Sequence, residues 1–285
     1  MRTITRAIEL RRVLAEARAP DRRIGFVPTM GCLHQGHMAL VDESRASCDA
    51  TVVSIFVNPT QFGPKEDLTT YPRDFLRDEQ LCRDAGVDIV FVPEAQEVYP
   101  PQFDTFIEPG ALAQSLCGTF RPRHFRGVAT VVCKLFNMVQ PDVAFFGQKD
   151  LQQCAVLRRM SVDLNLPIEI VTVPTVREPD GLAMSSRNRY LSAPERNRAQ
   201  AISRGLLAAE AAFREGERDP IRLLSIVRHP LEALDELQYL EIVDAETLEP
   251  ATNPLSRPVA ICAAGYVGST RLIDNVVLDP DAACR

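Results

Sequence analysis

Two imidazoles stand three positions apart in "CLHQGH", His34 and His37, with Gly31 and Gly36 beside them and the apolar run "RIGFVP" just ahead. On a helix, residues three apart share a face with Cβ atoms about 5–6 Å apart, so both rings can meet one ligand. An imidazolium donates hydrogen bonds, and histidine changes charge near neutral pH. Gly31 permits a tight turn and close backbone approach. If Gly36 and His37 open a helix, its free N–H groups and dipole add a preference for anions such as phosphate. Two other clusters have matching chemistry. In "FFGQKDLQQ", Gly147 leaves room for a ligand and Lys149 offers a point positive charge. Asp150 there either accepts from hydroxyl groups or caps a helix. In "MSSRN", Ser185 and Ser186 present hydroxyls and N–H groups, and Arg187 presents a planar fork suited to phosphate oxygens. "NPTQFG" adds neutral amides, Asn58 and Gln61, although Asn58 before Pro59 is also an ordinary turn residue.

These residues need a scaffold, and hydrophobic periodicity supplies one. Helical spacing is expected over about residues 3–18, and "RIGFVP", "ATVVSIFVNP" and "VDIVFVP" read as strands. The near-continuous apolar character of "ATVVSIFVNP" suits a strand buried on both faces of a parallel sheet. "GHMALVDESRASC" and "DFLRDEQLCRDAG" are helices, the second ended by Gly86. The alternation continues with a helix "FRGVATVVCKLFNMVQ", a strand "PDVAFFG", a helix "KDLQQCAVLRRMSVDLN" and a strand "IEIVTVP". Strand–helix alternation of this kind predicts an α/β fold with a doubly wound parallel sheet. In such sheets ligands bind at the carboxyl edge of the strands, where the histidine, "NPTQFG" and "FFGQKD" segments fall, while "MSSRN" reads as a loop at the domain boundary able to close over a ligand. The pattern changes near residue 176. A polar loop, two helices (to about 215, and about 220–236) and two strand-like runs, "QYLEIVDAETL" and "RPVAICAAGYV", predict a smaller α+β domain over 177–285.

Composition narrows the classes. The chain has 285 residues, 46% hydrophobic and 25% charged, with a net charge of −6. That is ample for a core of two domains. The acidic balance argues against nucleic-acid or anionic-membrane partners, which favour basic patches. Eight cysteines, Cys284 among them, form no C-x-x-C pair. They read as reduced, buried thiols rather than a zinc site or disulfide framework. With no apolar run near 18 residues and no apolar leader, a cytoplasmic protein is expected.

"HQGH" is the H-x-G-H motif of adenylyl-transferring enzymes built on Rossmann-like sheets. The wider matches "VPTMGCLHQGHMALV", "SIFVNPTQFGPKEDLTTYPRD", "RPRHFRGVATVVCKLFNMVQPDVAFFGQKDLQQ" and "DGLAMSSRNRYLS" resemble, in order and spacing, the pantothenate synthetase (pantoate–β-alanine ligase) family. The resemblance covers residues 1–192 and extends more loosely to the C-terminus. It implies a Rossmann-like ATP- and pantoate-binding domain over 1–176 and a lid domain over 177–285. It implies ATP contacts at Met30, Gly31, His34, Gly36, His37, Gly147, Gln148, Lys149, Asp150, Val176, Met184, Ser185, Ser186 and Arg187. Gln61 would touch both pantoate and β-alanine, Gln153 pantoate, and Asn58 one of these substrates. His37 would be the proton donor, with His34, Lys149 and Arg187 completing the catalytic set. Mg²⁺ is expected with ATP, and a homodimer through the N-terminal domain.

Some positions stay open. Arg121, Arg123, His124 and Arg126 in "RPRHFRG" either help to hold a ligand or form a solvated loop. His229 reads as structural. Asp78 reads as a helix-exterior carboxylate, with a place beside Mg²⁺ as the alternative. Metal ligands are not assigned. Cys32 and Gln35 replace the common Ala and Glu, and Lys65 a commonly neutral residue. A nucleotidylyltransferase, a class I tRNA synthetase and a non-catalytic nucleotide-binding module are the competing functions. "NPTQFG" with Gln153 opposes the first. The short acidic chain opposes the second. The intact histidines and Lys149 oppose the third.

Overall fold

The computed structural model describes residues 1–18, 21–64 and 66–281; Lys65 and Cys284 lie outside the described residues. Six strands form one parallel sheet: β1 (Arg2–Ile4), β2 (Ile24–Thr29), β3 (Ala50–Ile55), β4 (Ile89–Phe91), β5 (Val143–Gly147) and β6 (Glu169–Val173). Their order is β1-β4-β3-β2-β5-β6. Alternate residues go to opposite faces, as the pleat requires. Phe26, Val52, Ile89 and Ala144 join one cluster, and Val27, Val53, Val90 and Val143 join the other. Helices α1 (Ala7–Ala17), α4 (Ala95–Val98), α6 (His124–Val139) and α7 (Leu151–Asp163) cover the first face. Helices α2 (Gln35–Ser47) and α3 (Phe75–Asp84) cover the second. A short helix α5 (Cys117–Phe120) precedes α6.

Strand order reverses between β2 and β5, which pair directly. The loops that leave both strands at their carboxyl ends therefore open on one crevice. This topology brings "HQGH" and "GQKD" together, although more than a hundred residues of chain separate them.

The remaining chain gives helices α8 (Ala193–Arg214) and α9 (Pro220–Leu231) and an antiparallel sheet of β7 (Glu236–Asp244), β8 (Val259–Val267) and β9 (Thr270–Leu278). Ser192 and Glu195 start α8 with a capping box, the Ser192 N–H donating to Glu195 Oε2 at 2.8 Å. One sheet face packs on α8 and α9 through Leu206, Leu223, Ile261 and Val276. The other, with Tyr239, Ala260, Cys262 and Ala264, packs on Phe125, Leu151 and Ala155. Burial on both faces explains why β8 reads as an unbroken apolar run.

Four local expectations need correction. The helix expected from residue 3 begins at Ala7, because Arg2–Ile4 is a strand paired with β4. Three residues are too short to display a period. The helix expected to run to 236 stops at Leu231, one residue after Pro230. The short helices α4 and α5 carry no periodic signal and are additional to the expected elements. Two closing strands are expected and three are present; β9 escapes the pattern because Asp274 and Asn275 interrupt its apolar run. The described cysteines are all free. Among the described residues no helix is long and apolar enough to cross a membrane.

Candidate active site

After β2 the chain makes a left-handed turn, with φ +81° at Gly31 and +52° at Cys32. Asp78 on α3 holds this turn: the Cys32 N–H donates to its Oδ2 and the Leu33 N–H to its Oδ1, both at 2.7 Å. Asp78 is only 1% exposed, so the helix-exterior reading is wrong; the carboxylate points inward as a brace. Burial raises its pKa, and the two N–H donors pull it back. The turn delivers His34 as the extended cap of α2 and His37 to its first turn. Their ring centroids lie 4.0 Å apart. A Cβ on Gly36 would sit 3.0 Å from the His34 ring, so glycine lets the ring lie over the helix start.

The His34 N–H donates to His37 Nδ1 at 3.3 Å. His37 Nδ1 is thus an acceptor, and the neutral ring carries its proton on Nε2. Burial, then His34 and Lys149, holds the His37 pKa well below 6.5. Burial and Lys149 lower His34 to about 4. Without an anion beside them, both rings are therefore neutral at physiological pH. His34 Nδ1 is buried without a partner.

Neutral buried histidines make stability pH-dependent. The unfolded chain takes up these protons below 6.5, the folded one does not until about 4, so stability is retained above 6.5 and lost as the pH falls through that window. Each such histidine, His124 included, withdraws about 1.4 kcal/mol per pH unit. Denaturant midpoints should be flat above about pH 7 and fall steadily toward about pH 5; a midpoint unchanged across that range would contradict the assignment.

After β5, Gly147–Asp150 form the second element. Asn275 on β9 fixes it, its Nδ2 donating to the carbonyls of Gln148 at 2.9 Å and Lys149 at 3.0 Å. Lys149 is left 3.7 Å from Asp150 and faces the crevice. Asp150 heads α7 without a side-chain cap bond. Asn275→Ala should leave two carbonyls unpaired and cost about 1–3 kcal/mol. Because the residues released are Gln148 and Lys149 of the phosphate-suited segment, the KM for the phosphate-bearing substrate should rise more than that for the other substrates; equal changes would contradict a positioning role.

The third element is a hairpin. The Met184 N–H donates to the Val176 carbonyl at 2.9 Å. Arg177 grips buried Asp274, also on β9, at 2.6 Å. Ser185 then caps a 3-10 turn over Ser186–Tyr190 by accepting from the Arg187 N–H at 3.3 Å. Ser186 Oγ lies 3.2 Å from Tyr71 Oη. Arg187, expected to present a free fork, is forked by Asp67, with both hydrogen bonds at 2.9 Å.

At the far end, Asn58 is 1% exposed and spends its amide on the protein. Its Nδ2 donates to Gln61 Oε1 at 3.0 Å and the Gly127 carbonyl at 3.1 Å, and its Oδ1 accepts from Tyr99 Oη at 2.7 Å. This leaves the Gln61 Nε2 group as a donor, now directed at Met30 Sδ at 3.3 Å. A Cβ at Gly127 would lie 2.4 Å from the Thr60 carbonyl, so glycine lets α6 reach Gln61. The solvated reading of "RPRHFRG" fails for Arg121 and His124. His124 Nδ1 lies 3.0 Å from the Gln61 carbonyl, and Arg121 forks Glu66 at 2.6 and 2.7 Å. Arg126 lies apart, over the Phe106 ring and paired with Glu108. His229 lies exposed in the last turn of α9.

All of these elements line one cavity of ≈ 220 Å³: Met30, His34, Gly36, His37, Asn58, Gln61, Gly147, Lys149, Asp150, Gln153, Val176, Met184, Ser185, Ser186 and Arg187. Gly31 stands behind it against Asp78, and the Gln148 amide turns to Asn275. A second cavity of ≈ 590 Å³ shares Arg121, Lys149, Asp150, Ser185 and Arg187 and reaches β9. Sequence reasoning does not assign Glu66, Asp67, Asp274 or Asn275, and misreads Asp78. Only Asp274-Asn275 carries a signal, as adjacent polar residues inside an apolar strand.

A switch-point crevice with an H-x-G-H helix start, a lysine segment and a serine-arginine loop defines a nucleotide-binding enzyme site on a parallel sheet. The pantoate-beta-alanine ligase family model matches residues 2–277. Pantothenate synthetase 1 of Bradyrhizobium diazoefficiens is 69% identical over 278 residues, 98% of each chain. The pantothenate synthetase of Thermotoga neapolitana is 52% identical, covering 98% of this chain and all of its own. The crystal structure of the Thermus thermophilus enzyme superposes with a TM-score of 0.92 at 46% identity, over 98% of this chain and 100% of that one. The Francisella tularensis ligase, solved with β,γ-ATP and β-alanine, gives 0.79 at 31%, covering 97% of each chain. The chain belongs to the pantoate–β-alanine ligase family, and its activity is pantothenate synthesis.

Proposed function

We propose that the chain makes pantothenate in two steps through an adenylate. A carboxylate acylates poorly because its leaving group would be oxide. The pantoate carboxylate therefore attacks the α-phosphorus of ATP, releasing pyrophosphate and leaving pantoyl adenylate. The β-alanine amine then attacks the activated carbonyl, giving pantothenate and AMP. The observation that carries this reading is the convergence on one cavity of three phosphate-suited elements together with the amides of Gln61 and Gln153.

Catalysis here is positioning and charge stabilisation more than covalent help. Lys149, Arg187, Ser185 and Ser186 take the phosphates, and Val176 and Met184 line the adenine end. Gln61, oriented by Asn58, and Gln153 hold pantoate; Gln61 also meets β-alanine. His37 offers its Nε2–H to oxygen on the reacting phosphate, and the arriving anion favours protonation of His34, whose Nδ1 has no other partner. Asp67 leaves the Arg187 fork as phosphate enters. Mg²⁺ bound by the ATP phosphates would add charge neutralisation at the reacting phosphate, beside Lys149 and Arg187. Residues 1–176 bind ATP and pantoate, and 177–285 form a lid that excludes water from the adenylate. Two copies pair through the N-terminal part. The free thiols suit the cytoplasm, a reducing compartment.

The test is to incubate the protein with ATP, Mg²⁺ and pantoate, with and without β-alanine, and to follow pyrophosphate and AMP. Pyrophosphate that requires pantoate, with AMP released only on adding β-alanine, is expected. ATP bound without pyrophosphate release would defeat the two-step reading.

A further inference from the structure

β-Alanine brings a carboxylate as well as an amine into the crevice, and a buried carboxylate needs a cation. Among the described residues, three cations line the ≈ 220 Å³ cavity: Lys149, Arg187 and Arg121. The first two belong to the phosphate segments. Arg121 stands at the Gln61 end and also lines both neighbouring cavities. Its side chain is 14% exposed.

The surroundings of Arg121 are built. Its Nη1 lies 3.1 Å from His124 Nε2. Arginine has no acceptor, so it donates there, and His124 must donate from Nδ1 to the Gln61 carbonyl at 3.0 Å. One chain of hydrogen bonds thus ties the guanidinium to the backbone of the residue proposed to meet β-alanine. The rest of the fork, Nε and Nη2, holds the Glu66 carboxylate at 2.7 and 2.6 Å. A carboxylate in two-point contact with this arginine is what a carboxylate substrate would present.

We propose that Arg121 is the receptor for the β-alanine carboxylate, and that Glu66 occupies its fork until the amino acid displaces it. This rests on the adenylate reading above. His124 is a positioning residue, holding Arg121 and Gln61 in register while staying neutral. The exchange replaces one carboxylate with another, so the guanidinium is never left unpaired. It selects amines that carry an acid group at the correct distance.

The experiment compares the full chain with Arg121→Gln and Glu66→Gln in the presence of ATP, Mg²⁺ and pantoate. Pantoate-dependent ATP–pyrophosphate exchange, which needs no amine, should change less than about threefold in Arg121→Gln, while the β-alanine KM rises about thirtyfold or more. The preference for β-alanine over β-alaninamide, which has the same amine and no carboxylate, should collapse by a similar factor. Glu66→Gln, which removes the internal competitor, should lower the β-alanine KM. An unchanged preference in an Arg121→Gln protein that still exchanges overturns the proposal. So does a β-alanine KM that is unchanged or raised in Glu66→Gln. No exchange in the unaltered protein would overturn the adenylate reading itself, and this assignment with it.

Discussion

His37→Ala lowers pantoate-dependent pyrophosphate release by about a hundredfold or more, the usual cost of deleting one aimed donor in a dry site. The magnitude follows from three observations. His37 is half-buried on the crevice wall, so its Nε2–H acts with little water around it once substrate fills the cavity. Its Nδ1 is occupied by the His34 N–H, so the donor proton has one place to be. Its ring lies against His34, with centroids 4.0 Å apart, so the geometry is fixed before substrate arrives. The loss should fall on kcat rather than on the ATP KM, because Lys149 and the Ser185–Arg187 loop remain. Stability should rise slightly at low pH, since a group that resists protonation has gone. Near-normal pyrophosphate release by this variant would end the assignment.

The second large effect lies one layer out. Asp78→Ala leaves the N–H groups of Cys32 and Leu33 without an acceptor in a buried turn. Each orphan costs about 1–3 kcal/mol. The turn also loses what holds Gly31 and Cys32 in left-handed backbone. We expect a marked fall in thermal midpoint together with a tenfold or larger loss of adenylate formation, on the order expected when reacting groups are misplaced. Asp78→Asn keeps one acceptor and should fall between. Full activity in Asp78→Ala would show that the turn holds itself.

How much of this is legible in the residues differs by kind. The parallel sheet is legible because strands buried on both faces, such as β3, leave unbroken apolar runs, and glycines with charged residues punctuate their ends. The phosphate-suited segments are legible because their residue types have few other uses at a strand's carboxyl end. The supports are not. Asp78 looks like any polar residue of an exposed helix; its inward direction follows from how α3 packs against the turn after β2, which no local pattern states. Glu66 and Asp67 sit in a loop whose ionic partners are over fifty residues away. The neutrality of the two histidines in the ligand-free protein is also not legible in sequence, because burial lies outside the local pattern. Asn275 is hidden by its own strand.

The acidic residues that occupy the crevice arginines also bear on how fast nucleotide is captured. Arg187 and Arg121 are each matched by a carboxylate, and Lys149 lies near Asp150. On a chain of net charge −6, such a crevice projects little positive field into solvent. Long-range attraction therefore contributes little to the encounter with a polyanion, and the association rate should vary only weakly with ionic strength. Attraction develops at contact instead, as phosphate takes the place of Asp67. The crevice is thereby shielded from the many other anions of the cell, which meet arginines already in use.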